Sequence, residues 1–147
     1  MDLGISVKDV IQVKFGSYLN TLPKDEREKK LDEYVKAAGS SIQATIDEAE
    51  ALADSIQSTI TNTTSFVPST IAQIGSMVTM IDPTAKVAQL VSIKESVSSA
   101  KDQVIRASSQ LVSLTNILNQ LSISVPIVDT LNSGIQSIST LLGTIPV

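Results

Sequence analysis

Apolar residues recur along this chain at intervals of three and four, the spacing that lines one face of an α-helix. The longest array runs from Leu90 to Val128: Leu90, Ile93, Val97, Ala100, Val104, Ala107, Leu111, Leu114, Leu118, Leu121, Val125 and Val128 fill twelve consecutive a and d positions of a heptad. At this apolar content, twelve hits in a row arise by chance in roughly 3 of 100,000 windows, so the pattern is a signal. A second seam reads Val35, Ile42, Ile46, Ala49, Ala53, Ile56, Ile60, Thr63 and Val67. Shorter runs are Val7, Val10, Ile11, Phe15 and Leu19 near the start, Ile71, Ile74, Val78 and Ile81 in the middle, and Leu131, Ile135, Ile138, Leu142 and Ile145 at the end.

Punctuation between these runs predicts the helix boundaries. Ser6 with Asp9 resembles a capping box and opens a helix over about residues 7–20. Pro23 suits the first turn of a long helix over 23–66, which Gly39-Ser40-Ser41 bends or restarts and Pro68 ends. A short helix over 69–81 follows. Asp82 caps and Pro83 starts a second long helix over 84–122. Pro126 forces a break near Ser122–Val125, and Ser124 caps a last helix over 126–142 that stops at Gly143. The expectation is an all-α chain forming one elongated domain over 1–147. Its architecture is a long antiparallel helical hairpin or helical bundle with coiled-coil-type heptad seams, or a trimeric rod.

The flanks of the main seam shape the expected assembly. Its e and g positions hold Lys94, Lys101, Ser108, Thr115 and Ser122, and Ser96, Gln103, Gln110, Ile117 and Ser124. Charge pairs that select a two-stranded partner are nearly missing, so packing among three or more helices is expected. Val91, Ile105 and Val112 share a second column and form a candidate partner-facing stripe; Leu131, Ile135, Ile138 and Leu142 form another. The helix-packing seam itself is assigned to Ile42, Ile46, Ile56, Ile60, Leu90, Ile93, Val97, Val104, Leu111, Leu114, Leu118 and Leu121.

Composition narrows the chemistry. Of 147 residues, 42% are hydrophobic but only 3% aromatic, so the apolar supply is almost entirely aliphatic. His and Cys are absent, which excludes His-based acid–base catalysis, Ser-His-Asp triads, thiolate chemistry, disulfides and the commonest metal ligands. Asp47, Glu48, Glu50 and Asp54 cluster in sequence, but their spacing reads as a solvated helix face rather than a cation loop. The scattered glycines form no phosphate-binding loop. The four Phe and Tyr residues are too few and too dispersed to stack bases and read as local core anchors. No catalytic residue, cofactor or metal site is assigned, and the chain is expected not to be an enzyme. Asn62-Thr63-Thr64 matches a glycosylation sequon but reads as helix-end filler in a chain expected to lack a secretory signal.

Charge is uneven. Residues 1–54 carry 11 acids and 7 bases, so the net charge of −4 sits there; residues 55–81 carry no charge and residues 107–147 carry only Asp129. No basic footprint for nucleic acid exists. Such weakly charged stretches are expected to be covered by partners, homo-oligomeric, hetero-oligomeric or both. The hydroxyl side chains within them survive burial by bonding back to their own helix.

These Ser/Thr/Ile/Gln-rich seams without His, Cys or Trp, mainly over residues 40–147, resemble in texture the helical structural proteins of bacteriophage virions (tail, baseplate or neck). The resemblance implies a non-enzymatic structural subunit, made in the cytoplasm without a signal peptide and placed in a virion or other large assembly. The alternative is a surface-active or membrane-perturbing helical protein of the granule-coat or pore-former type, with the uncharged segments meeting lipid.

Overall fold

The computed structural model describes residues 2–146 and is all-α, with no strand among the described residues. Four helices follow in order: α1 (Val7–Leu19), α2 (Lys24–Met77), α3 (Pro83–Gln120) and α4 (Ile127–Gly143). Packing divides the chain into two compact units. The first holds Met1–Asp54 with Val112–Val128, and the second Ser55–Leu111 with Asp129–Val147.

The helix boundaries follow from local chemistry. Ser6 and Asp9 form the expected capping box: the Asp9 N–H donates to Ser6 Oγ at 3.2 Å, and the Ser6 N–H donates to Asp9 Oδ2 at 3.1 Å. At the start of α3 the Thr84 N–H donates to Asp82 Oδ1 at 2.9 Å, with Pro83 in the first helical position where its missing N–H costs nothing. The turn between α1 and α2 is pinned from outside. Arg27 Nε donates to the Leu19 carbonyl at 3.1 Å, and its Nη2 donates to the Leu22 carbonyl at 3.2 Å. That cation at a helix C-terminus meets carbonyls left without helical partners.

Two expected breaks do not form, and the third, near Ser122–Val125, forms with end chemistry other than expected. Pro68 does not end α2, which continues through it to Met77 and merges the expected helices 23–66 and 69–81. Pro68 removes the N–H that would reach the Thr64 carbonyl, but both residues are exposed, so water can take that acceptor. The 4-3 spacing of covered positions also runs on unbroken, through Val67, Thr70, Ile74 and Met77. Gly39-Ser40-Ser41 lies inside continuous helix as well. Finally, α3 stops through its own backbone rather than through Pro126. Ser122 takes φ 56°, the Ile123 N–H reaches the Leu118 carbonyl at 3.0 Å, and the Ser122 N–H reaches that of Asn119 at 3.0 Å. These are the paired bonds of a Schellman ending, with serine where glycine is usual. Because α4 begins at Ile127, the capping position falls to Pro126, and Ser124 lies two residues too early to cap it.

In the first unit the buried set comprises Leu3, Val10, Ile11 and Leu19 around α1, Ile46, Ala49 and Ala53 of α2, Leu114, Ile117 and Leu118 of α3, and Leu121 just beyond it. In the second unit α2 and α3 run antiparallel. Gln110 Nε2 donates to Ser55 Oγ at 3.0 Å near one end, while Asn62 and Phe66 share a groove with Ser96 and Ser99 further along. The buried set here is Ile56, Thr63, Val67 and Thr70 of α2, Ile93, Val97, Ala100, Val104, Ala107 and Leu111 of α3, Leu131, Ile135, Ile138 and Leu142 of α4, and Ile145 just after it. Gly134 brings α4 close to α2: a Cβ at that position would lie 2.6 Å from Ile60 Cδ1.

Candidate interaction surfaces

The residues assigned to the packing seam sort cleanly by exposure. Ile46, Ile56, Ile93, Val97, Val104, Leu111, Leu114, Leu118 and Leu121 are buried, and Ile42, Ile60 and Leu90 are half-buried. Those assigned to partner contact split into two groups. Val91, Ile105 and Val112 are exposed at 50%, 65% and 62%, respectively. Leu131, Ile135, Ile138 and Leu142 are not available to partners. They are buried in the second unit, because α4 turns that face onto its own core. From the sequence the face of α4 was visible, but not what it would meet.

The exposed column on α3 carries two lysines either side of a serine, with an apolar residue at each end. Val91, Lys94, Ser98, Lys101 and Ile105 follow one another at intervals of three and four, all exposed, in the second unit. No acid falls in this column; Glu95 and Asp102 lie one residue on, about 100° around the helix.

Two further apolar exposures were not assigned from the sequence. The turn between α2 and α3 presents Val78 at 80% and Ile81 at 95% exposure, beside exposed Ile71 and Val87. This turn needs only residues 78–82 to reverse the chain, so side chains of the expected helical run are left at its tip. In the first unit Phe15 and Tyr34 stack with ring centroids 4.7 Å apart, and Phe15 and Tyr18 are exposed at 41% and 48%. The expectation that these aromatics anchor a core therefore fails for Phe15 and Tyr18. The α1 positions Val10, Ile11 and Leu19 take that role, while Phe15, one turn from both Ile11 and Leu19, stays partly exposed against Tyr34.

The polar surface offers little for chemistry. Lys30 Nζ donates to Glu33 Oε2 at 3.1 Å, and that hydrogen bond together with the carboxylate charge raises the ammonium above its ordinary value. Both partners are solvated, so the pair is a surface ion pair of small worth. Asp47 accepts from Gln43 Nε2 at 2.9 Å and, like Glu48 and Asp54, is exposed. Among the described residues no three acidic, His or Cys side chains come together to hold a metal ion. An open cleft of about 830 Å³ in the first unit is lined by Lys8, Gln12, Lys24, Arg27, Glu28 and Asp32 among others. Its charges have mixed sign, and Arg27 is already committed to backbone carbonyls. Among the described residues, no helix is long and apolar enough to cross a membrane.

Comparison with protein-family models, with curated proteins and with solved structures returns no match.

Proposed function

We propose that this chain is a non-enzymatic structural subunit that acts by packing helices against neighbouring subunits in a larger particle. A bacteriophage tail or baseplate is the setting its texture suggests. One observation carries the reading. The chain buries its seams internally, yet keeps Val91, Ile105 and Val112 exposed in a single column on α3. Isolated exposed apolar residues are ordinary, but a periodic column of them on one long helix is a surface shaped for another helix. The test is the native mass of the purified chain by light scattering and native mass spectrometry. The expected result is a defined multiple of the monomer mass, and a strictly monomeric species that joins no particle refutes the reading.

A second reading rests on the tip of the α2–α3 turn. Val78 and Ile81 protrude there with Met80 between them, and no charge precedes them back to Ser55. Such a tip can enter the boundary of a lipid layer without spanning it. Flotation with phosphatidylcholine and phosphatidylglycerol vesicles separates the two. Co-flotation that is lost in Ile81→Asp favours lipid contact, whereas no co-flotation with a defined oligomer favours the assembly subunit.

A further inference from the structure

We propose that the groove between α2 and α3 in the second unit is a binding site for a neutral saccharide chain. The site goes beyond the assembly reading and does not rest on it.

The groove, of about 540 Å³, lies wholly within the second unit and opens to solvent. The antiparallel register sets the order of its groups. Gln110 bonds Ser55, so seven residues on along α2 and seven back along α3 Asn62 comes level with Gln103; one turn further, Phe66 comes level with Ser99. An amide pair therefore marks one end, an aromatic ring the middle, and the Glu95 carboxylate with Ser92 the other end. From Ser92 to Gln103 the helix covers about 16.5 Å at 1.5 Å per residue, a length that suits several sugar rings in a row.

Three observations point to a polyhydroxy ligand. The first is the ring. Phe66 is the one aromatic residue of the second unit, and it stays half-buried at the groove rather than inside the core. The negative face of an aromatic ring attracts the weakly positive C–H face of a pyranose. The second is the uncommitted state of the polar groups around it. Asn62, Ser92, Glu95, Ser96, Ser99 and Gln103 are exposed and make no side-chain hydrogen bond or ion pair among the described residues. By contrast, Thr59 and Thr64 of α2 donate to the carbonyl four residues back. Amides, hydroxyls and a carboxylate together supply both donors and acceptors, as sugar hydroxyls require. The third is Thr63, which lines the groove at 2% exposure with no hydrogen-bond partner among the described residues. No buried side-chain polar atom is sealed off without a partner, so the Thr63 hydroxyl is open to the groove. A ligand hydroxyl arriving there gives this group the hydrogen bond it lacks.

Charge and polarity set other ligands aside. No Lys or Arg lines the groove, so phosphate or sulfate groups would find no cation. The apolar stripe of a docking helix would cover the amides and hydroxyls without pairing them. A neutral saccharide pairs them and covers Phe66 at once.

The purified full chain is screened on an array of neutral, sulfated and sialylated glycans, and the glycans bound are titrated in soluble form into ¹⁵N-labelled chain. Neutral glycans are expected to bind and to shift, saturably, the amide resonances of residues 62–66 and 95–103. Phe66→Leu keeps apolar bulk but removes the ring, and Asn62→Ala/Gln103→Ala removes the amide pair from exposed positions. Each should bind about tenfold more weakly or worse with wild-type helicity by circular dichroism. The double variant keeps the test decisive if Phe66→Leu loses helicity. An array with no bound glycan, or with sulfated or sialylated glycans alone, overturns the site. So do shifts that fall outside the groove, and variants that bind as wild type does. Groove resonances that move on dilution of the chain alone would make the groove a contact between copies, which overturns the saccharide site and supports the assembly reading.

Discussion

The approach of α4 to α2 makes Gly134 a quantitative test of packing in the second unit. An alanine there gains about 1 kcal/mol of helix propensity over glycine. Its Cβ, however, would lie 2.6 Å from Ile60 Cδ1, 3.4 Å from Cγ1 and 3.5 Å from Cγ2. Relieving that overlap forces a strained Ile60 rotamer or a shift of α4, at a cost of about 1–3 kcal/mol. Gly134→Ala is thus expected to be neutral to destabilising by about 2 kcal/mol. Ile60→Val deletes the Cδ1 methyl that the new Cβ meets, and alone costs about 0.5–1.5 kcal/mol. In the double variant the alanine methyl occupies the vacated space, so the two changes should couple favourably by about 1–2 kcal/mol. Gly75→Ala is the control in the same unit: no atom lies within 4 Å of its Cβ. It should stabilise by up to about 1 kcal/mol. The assay is urea unfolding followed by far-ultraviolet circular dichroism on the four members of the cycle and the control. Additivity within about 0.5 kcal/mol, or a Gly134→Ala variant as stable as Gly75→Ala, would refute the packing argument.

Pro68→Ala should restore the missing N–H to the Thr64 carbonyl inside α2 and stabilise by up to about 3 kcal/mol, read as a higher urea midpoint with unchanged slope. Ser122→Gly should relieve the left-handed conformation at the end of α3 and stabilise the first unit by about 0.5–1 kcal/mol, read in the same way. Leu131→Ala, at a fully buried site, should cost about 2–5 kcal/mol, whereas Ile105→Ser on the outer column should leave stability within about 0.5 kcal/mol; equal losses would show that α4 is not part of the core. Glu33→Gln should lower the Lys30 pKa toward its ordinary value in side-chain NMR titration. A raised ammonium pKa means that the pair contributes below the unfolded value of 10.5 and fades as pH rises through the folded one, so alkaline rather than acid conditions remove it.

Much of the fold was legible because two kinds of signal agreed. Heptad spacing marked Ile93, Val97, Val104, Leu114 and Leu118 as covered, and the caps Ser6 and Asp82 fixed where helices start. The errors arose where a local rule met a wider constraint. Pro68 carries a strong local stop signal, but the covered spacing continues past it and its freed carbonyl faces solvent, so the helix persists. Ser122 carries no stop signal as a residue type; only its backbone shows one. The partner-facing assignment failed for Leu131, Ile135, Ile138 and Leu142 because an amphipathic face says that it will be covered, not by what. For Val91, Ile105 and Val112 the same logic found exposed side chains, since the opposite face of α3 already supplies the core.

The hydroxyl-rich composition has a different role from the one its sequence suggests. Thr45, Thr59, Thr64 and Thr140 each donate to the carbonyl four residues back, as expected for hydroxyls adapted to burial. Yet Thr64 and Thr140 are exposed and Thr45 and Thr59 only half-buried, while the seam positions Thr63 and Thr70 are the buried ones. The back-bonded hydroxyls therefore do not rescue buried polar groups; they let a surface remain polar without charge. The second unit illustrates the consequence. Its acids Asp82, Glu95, Asp102 and Asp129 balance its bases Lys86, Lys94, Lys101 and Arg106, while the net −4 of the chain falls within residues 1–54. A surface whose charges balance imposes little like-charge penalty on packing against a neighbour.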